Sequence, residues 1–160
     1  MNGYLMQDKQ WTPGEDLFLE SFSPESQNGV VFEDDGDAAY FYAVEKDKEG
    51  TGLRVLDALH IFETAPAGGG APEPTTPSDA GSAATPTPGD DLSLTPGQTY
   101  RLLLVWSRDW KKCALVIGGL CHAIFDFGLQ SGYNINEFPP PNEFWTKGDR
   151  QMTAARIRDF

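Results

Sequence analysis

The sequence lacks the features by which enzymes, metal proteins and membrane proteins are most easily identified. It has two histidines and two cysteines among 160 residues, and Cys113 and Cys121 do not form the closely spaced pair of a zinc site. It has no G-x-S-x-G nucleophile motif and no apolar run near the ~20 residues of a membrane-spanning helix. The N-terminus lacks the basic region and apolar core of a secretory signal. We therefore expect a cytoplasmic protein without a cofactor or a metal ion.

Basic side chains are scarce, and they are scarcest in the first part of the chain. Residues 1–98 hold 18 acidic and 4 basic side chains, whereas residues 99–160 hold 6 acidic and 8 basic, for a net charge of −12. Phosphate backbones and anionic lipid surfaces repel such a chain, whereas a basic protein is attracted to it. The charge predicts a basic protein partner, such as a toxin or effector domain, and neither a nucleic acid nor a membrane. Solubility alone is the alternative explanation.

Large apolar residues are almost absent from residues 64–98, TAPAGGGAPEPTTPSDAGSAATPTPGDDLSLTPGQ. A segment of Pro, Gly, Ala, Ser and Thr buries too little surface to offset the entropy of ordering it. Because the entropy cost of closing a loop grows slowly with its length, a domain tolerates such an insertion. The composition predicts one β-rich domain over residues 1–160, with a flexible loop at 64–98.

The remaining segments alternate between apolar and polar residues, which is typical of strands. The predicted strands are residues 17–22, 30–34, 37–45, 53–62, 99–107, 112–117 and 120–127. Short turns between most of them predict an antiparallel meander of about six strands, as a curved sheet, a small barrel or a sandwich. Asp149 is the expected N-cap of a short C-terminal helix that would end at Arg158.

Asp35-Gly36 stands between two strand patterns and is a strong signal for a two-residue hairpin turn. The predicted pairs are Asp34 with Asp37, Phe32 with Ala39, and Val30 with Phe41. The predicted core face carries Val30, Phe32, Ala39 and Phe41, and the opposite face carries Val31, Glu33, Tyr40, Tyr42 and Val44. Phenol groups on this second face can contact water or a partner.

Gly118-Gly119 predicts a second two-residue hairpin, between residues 112–117 and 120–127. This register places Cys113 on the face of Leu115, Ile117, Leu120, His122 and Ile124, and Cys121 on the face of Ala114, Val116, Ala123 and Phe125. The two thiols therefore lie on opposite faces and should not form a disulfide.

Two blocks, GVVFEDDGDAAYFYA and KCALVIGGLCHAIFDF, resemble a family of small bacterial proteins known only as a conserved domain of unknown function. The resemblance extends from Leu17 to Phe127 without the Pro/Gly-rich segment. Gly118-Gly119-Leu120-Cys121 departs from the Asn-Gly-aromatic-Pro turn that is associated with the family. The resemblance implies a small β-rich bacterial domain and supplies no catalytic residues.

The acidic turn does not fit a calcium loop, since it reads E-D-D-G-D and an EF-hand loop requires D-x-D-x-D-G. Solvated turn carboxylates are the simpler interpretation, and a basic protein partner is the functional one. Trp110, in the turn SRDWKK, is a further candidate interface anchor. The predicted partner-binding residues are Glu33, Asp34, Asp35, Asp37, Tyr40, Tyr42 and Trp110.

No catalytic residue is predicted. His60 and His122 lie within apolar strands, where a hydrogen-bonded structural histidine is more common than a general base, although Asp57 or Asp126 could approach them. Cys113 has no helix N-terminus to lower its pKa. The leading hypothesis is therefore a non-enzymatic antidote (immunity) protein that blocks a basic toxin. A small-molecule or carbohydrate-binding domain is the alternative, and an enzyme ranks last.

Overall fold

The computed structural model describes residues 3–49, 51–64 and 94–160, and in them nine strands and one short helix. The elements are β1 (Gly3–Trp11), β2 (Leu17–Phe22), β3 (Asn28–Asp34), β4 (Ala38–Lys46), β5 (Leu53–Glu63), β6 (Tyr100–Ser107), β7 (Lys112–Ile117), β8 (Leu120–Asp126), β9 (Ser131–Asn134) and α1 (Ala154–Arg158). The mainly β, antiparallel prediction is confirmed. Most of the predicted flexible loop at 64–98 lies outside the described residues. Within the described ranges, no helix has the length and apolar character needed to cross a bilayer.

The strands form two sheets that pack face to face. Sheet I has the order β1-β6-β7-β8-β9, and sheet II has the order β2-β3-β4-β5. One core cluster contains buried side chains from both sheets, among them Phe32 and Phe41 of sheet II and Leu104 and Phe125 of sheet I. The architecture is therefore the sandwich among the three predicted forms. Strands β1 and β9 were not expected from the sequence.

The hairpin of β3 and β4 has the predicted faces but not the predicted register. Phe32 pairs with Phe41, two positions further along than expected, and Val30 pairs with Ala43. The central turn residues are Gly36 and Asp37, because Asp35 N donates to Ala38 O (3.2 Å) and Gly36 has φ +98°. A glycine at the first central position is typical of a type II′ turn. Moving the turn by one residue shifts the register by two, which leaves every side chain on its predicted face.

The hairpin of β7 and β8 starts in the predicted register, with Ile117 opposite Leu120, and then has a bulge. Beyond the bulge, Phe125 points into the core beside Cys113, so the predicted face of β8 is wrong from Ala123 onward. A bulge adds one residue to one strand and thereby reverses the alternation. Cys113 and Cys121 are free thiols on opposite faces, as predicted.

Two buried tryptophans hydrogen-bond from sheet I to sheet II. Trp11 Nε1 donates to Asp34 Oδ2, and Trp106 Nε1 donates to Ser21 Oγ, both at 2.9 Å. A buried indole N–H needs such an acceptor. These bonds fix the relative position of the sheets along the β1–β2 side of the sandwich.

An ion pair between Asp57 and Arg150 links the other side. The side chains are only 2% and 1% exposed, and the guanidinium binds both carboxylate oxygens, at 2.7 and 2.8 Å. The other Arg150 N–H groups donate to the carbonyls of Gly132, Pro139 and Pro140, so all five donors have acceptors. The pair thus joins β5 of sheet II to β9 of sheet I and to the C-terminal segment.

The C-terminal helix begins later than predicted, at Ala154, with Thr153 as its N-cap. Asp149 instead accepts a hydrogen bond from Gln151 N (2.8 Å), two residues on. Gln151 forms a parallel bridge with Asn134, which keeps this part of the chain extended. The helix packs Ile157 against a small cluster on the outer face of sheet I.

We predict that Arg150→Met destabilises the protein by about 3–5 kcal/mol, because it leaves the Asp57 carboxylate buried without its counter-charge. Urea unfolding followed by circular dichroism gives the free energy of unfolding. Arg101→Met is the matched control, since it removes the exposed ion pair with Asp8 and should change the free energy of unfolding far less, because water and salt screen an exposed pair. Equal losses in the two variants would contradict a structural role for the buried pair.

Candidate functional site

The outer face of sheet II, which is turned away from sheet I, carries the tyrosines that the sequence assigned to a contact surface. Tyr40 and Tyr42 are half-buried and stacked, with ring centroids 6.0 Å apart. Val31 and Val44 lie on the same face outside the main core, yet are only 6% and 2% exposed. Neighbouring side chains therefore already cover the valines and leave aromatic edges at the surface.

The acidic turn lies at one end of this face. Asp35 Oδ1 accepts hydrogen bonds from Asp37 N (2.9 Å) and Ala38 N (3.0 Å), which lower the pKa of the Asp35 carboxyl. Glu33, Asp35 and Asp37 are exposed. The turn therefore presents three exposed carboxylates, and backbone hydrogen bonds fix the conformation of Asp35.

Asp34, which the sequence analysis also placed in the partner-binding set, lies at the same end of this face but is buried. It is 1% exposed, and its carboxylate accepts from Trp11 Nε1, Gly14 N and Gly36 N at 2.8–2.9 Å. Asp34 thus joins the turn to β1 instead of facing solvent. No local pattern indicates this contact, because Trp11 lies 23 positions away.

A groove of about 310 Å³ opens beside the turn. Phe18, which is 57% exposed, forms its apolar wall, and Asp16, Glu33 and Asp35 add carboxylates. Burial raises the pKa of Tyr42, and the nearby Glu33 raises it further. We call this feature, which is lined by Asp16, Leu17, Phe18, Glu33, Asp34 and Asp35, the tip groove. Phe18 and Asp16 were not predicted as site residues, although Phe18 is a large apolar residue on the polar side of a strand.

Trp110 is not part of the same surface. Its ring stacks on Tyr4, with centroids 4.8 Å apart, and it also packs near Trp106. Tyr4 and Trp11 stand near opposite ends of β1, about 23 Å apart at ~3.3 Å per residue, and Trp11 is the residue that binds Asp34 near the turn. The predicted partner-binding set therefore separates into two distant places.

His60 and His122 line a common cavity of about 140 Å³. Neither aspartate that could have served them as a catalytic partner is directed there. Asp57 binds Arg150, and Asp126 accepts a hydrogen bond from Leu129 N (3.0 Å). In the part of the chain that the structure describes, no group of three or more His, Cys, Asp or Glu side chains is placed to hold a metal ion.

Comparisons with known proteins identify relatives but no assigned activity. Residues 11–74 and 91–160 match the family DUF2251, described as an uncharacterized protein conserved in bacteria. An uncharacterized protein of Haemophilus influenzae is 28% identical over 120 residues, which are 74% of this chain and 57% of that protein. The chain thus spans little more than half the length of this curated relative. No solved structure matches.

We predict that both thiols of the native protein resist alkylation. Burial raises the pKa of Cys121 to about 12 and raises that of Cys113 as well, and only the thiolate reacts. Iodoacetamide labelling at pH 8, followed by mass spectrometry, should be roughly a thousandfold slower than in urea-unfolded protein. The unfolded sample, which should label at two sites without a reductant, is the control. Rapid labelling of either native thiol would contradict the burial.

Proposed function

The chain belongs to the uncharacterized bacterial family DUF2251, and we propose that this domain is a non-enzymatic binding protein that holds a basic protein partner at the tip groove. In its sharpest form the proposal is an antidote: a cytoplasmic immunity protein that blocks a basic toxin. The observation that carries it is the combination of an exposed phenylalanine with three carboxylates in one recess.

The tip groove has the chemistry that a lysine or arginine side chain requires. The aliphatic stem of such a side chain packs on an aromatic ring, while its charged end stays close to carboxylates. Phe18 supplies the ring, and Asp16, Glu33 and Asp35 supply the charges. The protein contains a comparable contact of its own, since Lys46 Nζ lies 4.2 Å from the centroid of the Phe22 ring.

The surrounding charge favours approach of a basic partner from this end of sheet II. Residues 17–63 hold 11 acidic side chains, and their three basic ones all fall within residues 46–54, beside the opposite turn. The exposed acids near the tip therefore have no basic neighbour within sheet II. Such a field accelerates encounter with a basic protein and makes the rate dependent on salt.

The tip groove by itself is small, and the aromatic outer face of sheet II adds contact area for a partner. Tyr40 and Tyr42 are partly exposed and already held by stacking, so a partner can contact them at small cost in side-chain entropy. Tyrosine is enriched among the residues that dominate binding energy. Trp110 is left out of this surface because of its distance from the turn.

We predict that Asp16→Asn/Glu33→Gln, and separately Phe18→Ser, weaken the binding of the partner at least tenfold. Immobilised wild-type protein and variants are incubated with a native bacterial lysate at low and physiological salt, and retained proteins are quantified by mass spectrometry. The affinity of each identified protein is then measured with purified components. An antidote role further requires that the purified partner inhibits bacterial growth and that co-expression of the wild-type domain restores it.

Glu25→Gln/Glu49→Gln is the matched control, since it changes the net charge by the same amount at two exposed residues beside the opposite turns. It should retain the partner. Loss of binding in this control to the same degree would reduce the proposal to general charge attraction. The proposal is refuted if the wild-type protein retains no basic protein whose binding the tip-groove substitutions weaken.

A further inference from the structure

We propose that the cavity between His60 and His122 is a binding site for a small neutral molecule, about the size of a benzene ring, that carries one hydroxyl or carbonyl oxygen. The site is separate from the tip groove and does not depend on the proposed protein partner. It brings together the only two histidines of the sequence, from β5 of sheet II and β8 of sheet I.

Two β-bulges build the cavity. On β5, Tyr40 pairs with His60 and Ala39 pairs with Phe62, so Ile61 is the extra residue. On β8, His122 is the extra residue between Cys121 and Ala123. Bulges are frequent beside binding sites because they redirect side chains that regular alternation would place elsewhere. Both extra residues line the cavity.

The hydrogen bonds around His60 fix its ring and its tautomer. Asn136 Oδ1 accepts from Asn134 Nδ2 (2.9 Å) and from Phe138 N (3.0 Å), which sets the orientation of the Asn136 amide. Asn136 Nδ2 must then donate to His60 Nδ1, at 2.8 Å. Nδ1 is therefore the acceptor, and the proton of the neutral imidazole lies on Nε2. Tyr40 and Phe138 hold the ring by edge-to-face contacts.

The Nε2–H group of His60 is a buried donor without a hydrogen-bond acceptor. Glu63 Oε1 is 3.5 Å away but does not form a hydrogen bond with it, and the Glu63 side chain is 63% exposed. Leaving a buried donor unsatisfied costs free energy, and such groups in native proteins commonly mark the place of a bound water or ligand. A ligand oxygen would satisfy it.

The walls define the rest of the ligand. Phe62, Leu94 and Ile135 are apolar, and the polar groups belong to the two histidines and Asn136. A cavity of about 150 Å³ with apolar walls binds benzene, and this one measures about 140 Å³. The neighbouring Glu63 carboxylate disfavours an anion, which selects a neutral molecule over a carboxylate or a phosphate.

Phenol and benzene are the probes for the test, because they differ by the oxygen that His60 Nε2–H would bind. Both are titrated into the 160-residue protein up to about 10 mM, the range expected for so few atoms, and followed by NMR of the histidine ring nitrogens and of the Leu94 and Ile135 methyl groups. We expect phenol to bind about tenfold more tightly than benzene, with contacts from its ring to both methyl groups.

Two variants make the result decisive. His60→Phe keeps an aromatic ring but removes the donor, and should abolish the preference for phenol while benzene still binds. Ile135→Phe fills the cavity and should abolish binding of both probes, with the fold confirmed by the remaining amide spectrum. The proposal is overturned if neither probe perturbs the cavity resonances, or if the preference for phenol survives in His60→Phe.

Discussion

The ion pair of Asp57 and Arg150 is the interaction on which the β5–β9 side of the sandwich depends. Its cost in lost hydration is offset only because every donor and acceptor is matched. Asp57 also accepts from Ala58 N, Thr146 Oγ1 and Asn142 Nδ2. Position 132 also requires glycine, since a Cβ there would lie 2.6 Å from the Phe125 ring and 3.1 Å from Asp57 Oδ2. An apolar pair could fill this space, but it would not hold three separate carbonyls at once.

The same contact has a consequence for the histidine cavity. Arg150 holds the carbonyls of Pro139 and Pro140, and the carbonyl of the adjacent Phe138 accepts from His60 N at 2.9 Å. The segment from Phe138 to Pro140, which packs on the His60 ring, is therefore held by hydrogen bonds from Arg150 and by a backbone hydrogen bond from β5. At the opposite side of the molecule the tryptophan bonds hold the sheets together, and the tip groove is built on that support through Asp34.

Much of the fold could be predicted because alternation is a local property. The faces of β3 and β4 were correct even with the wrong register, since Phe32 and Phe41 stay inside under any shift by two. The burial of Asp34 was not predicted because its indole donor comes from β1, and Arg150 carried no signal because its carboxylate lies 93 positions earlier. The bulge at His122 was equally hidden, since nothing in the local pattern of β8 marks it. Long-range partners decided the cases of Asp34 and Arg150, whereas the bulge was missed within a local hairpin.

The two sheets also differ in how far apart along the chain their paired strands lie. Every neighbour within sheet II is the next strand along the chain, whereas β1 must find β6, where Gly3 pairs with Ser107. Contacts between distant residues slow folding because the intervening chain loses entropy before they are made. Sheet II can therefore assemble from successive hairpins before β1 pairs with β6. We expect the Asp34 carboxylate to stay hydrated until Trp11 reaches it, because the indole N–H is one of its hydrogen-bond donors in the folded protein.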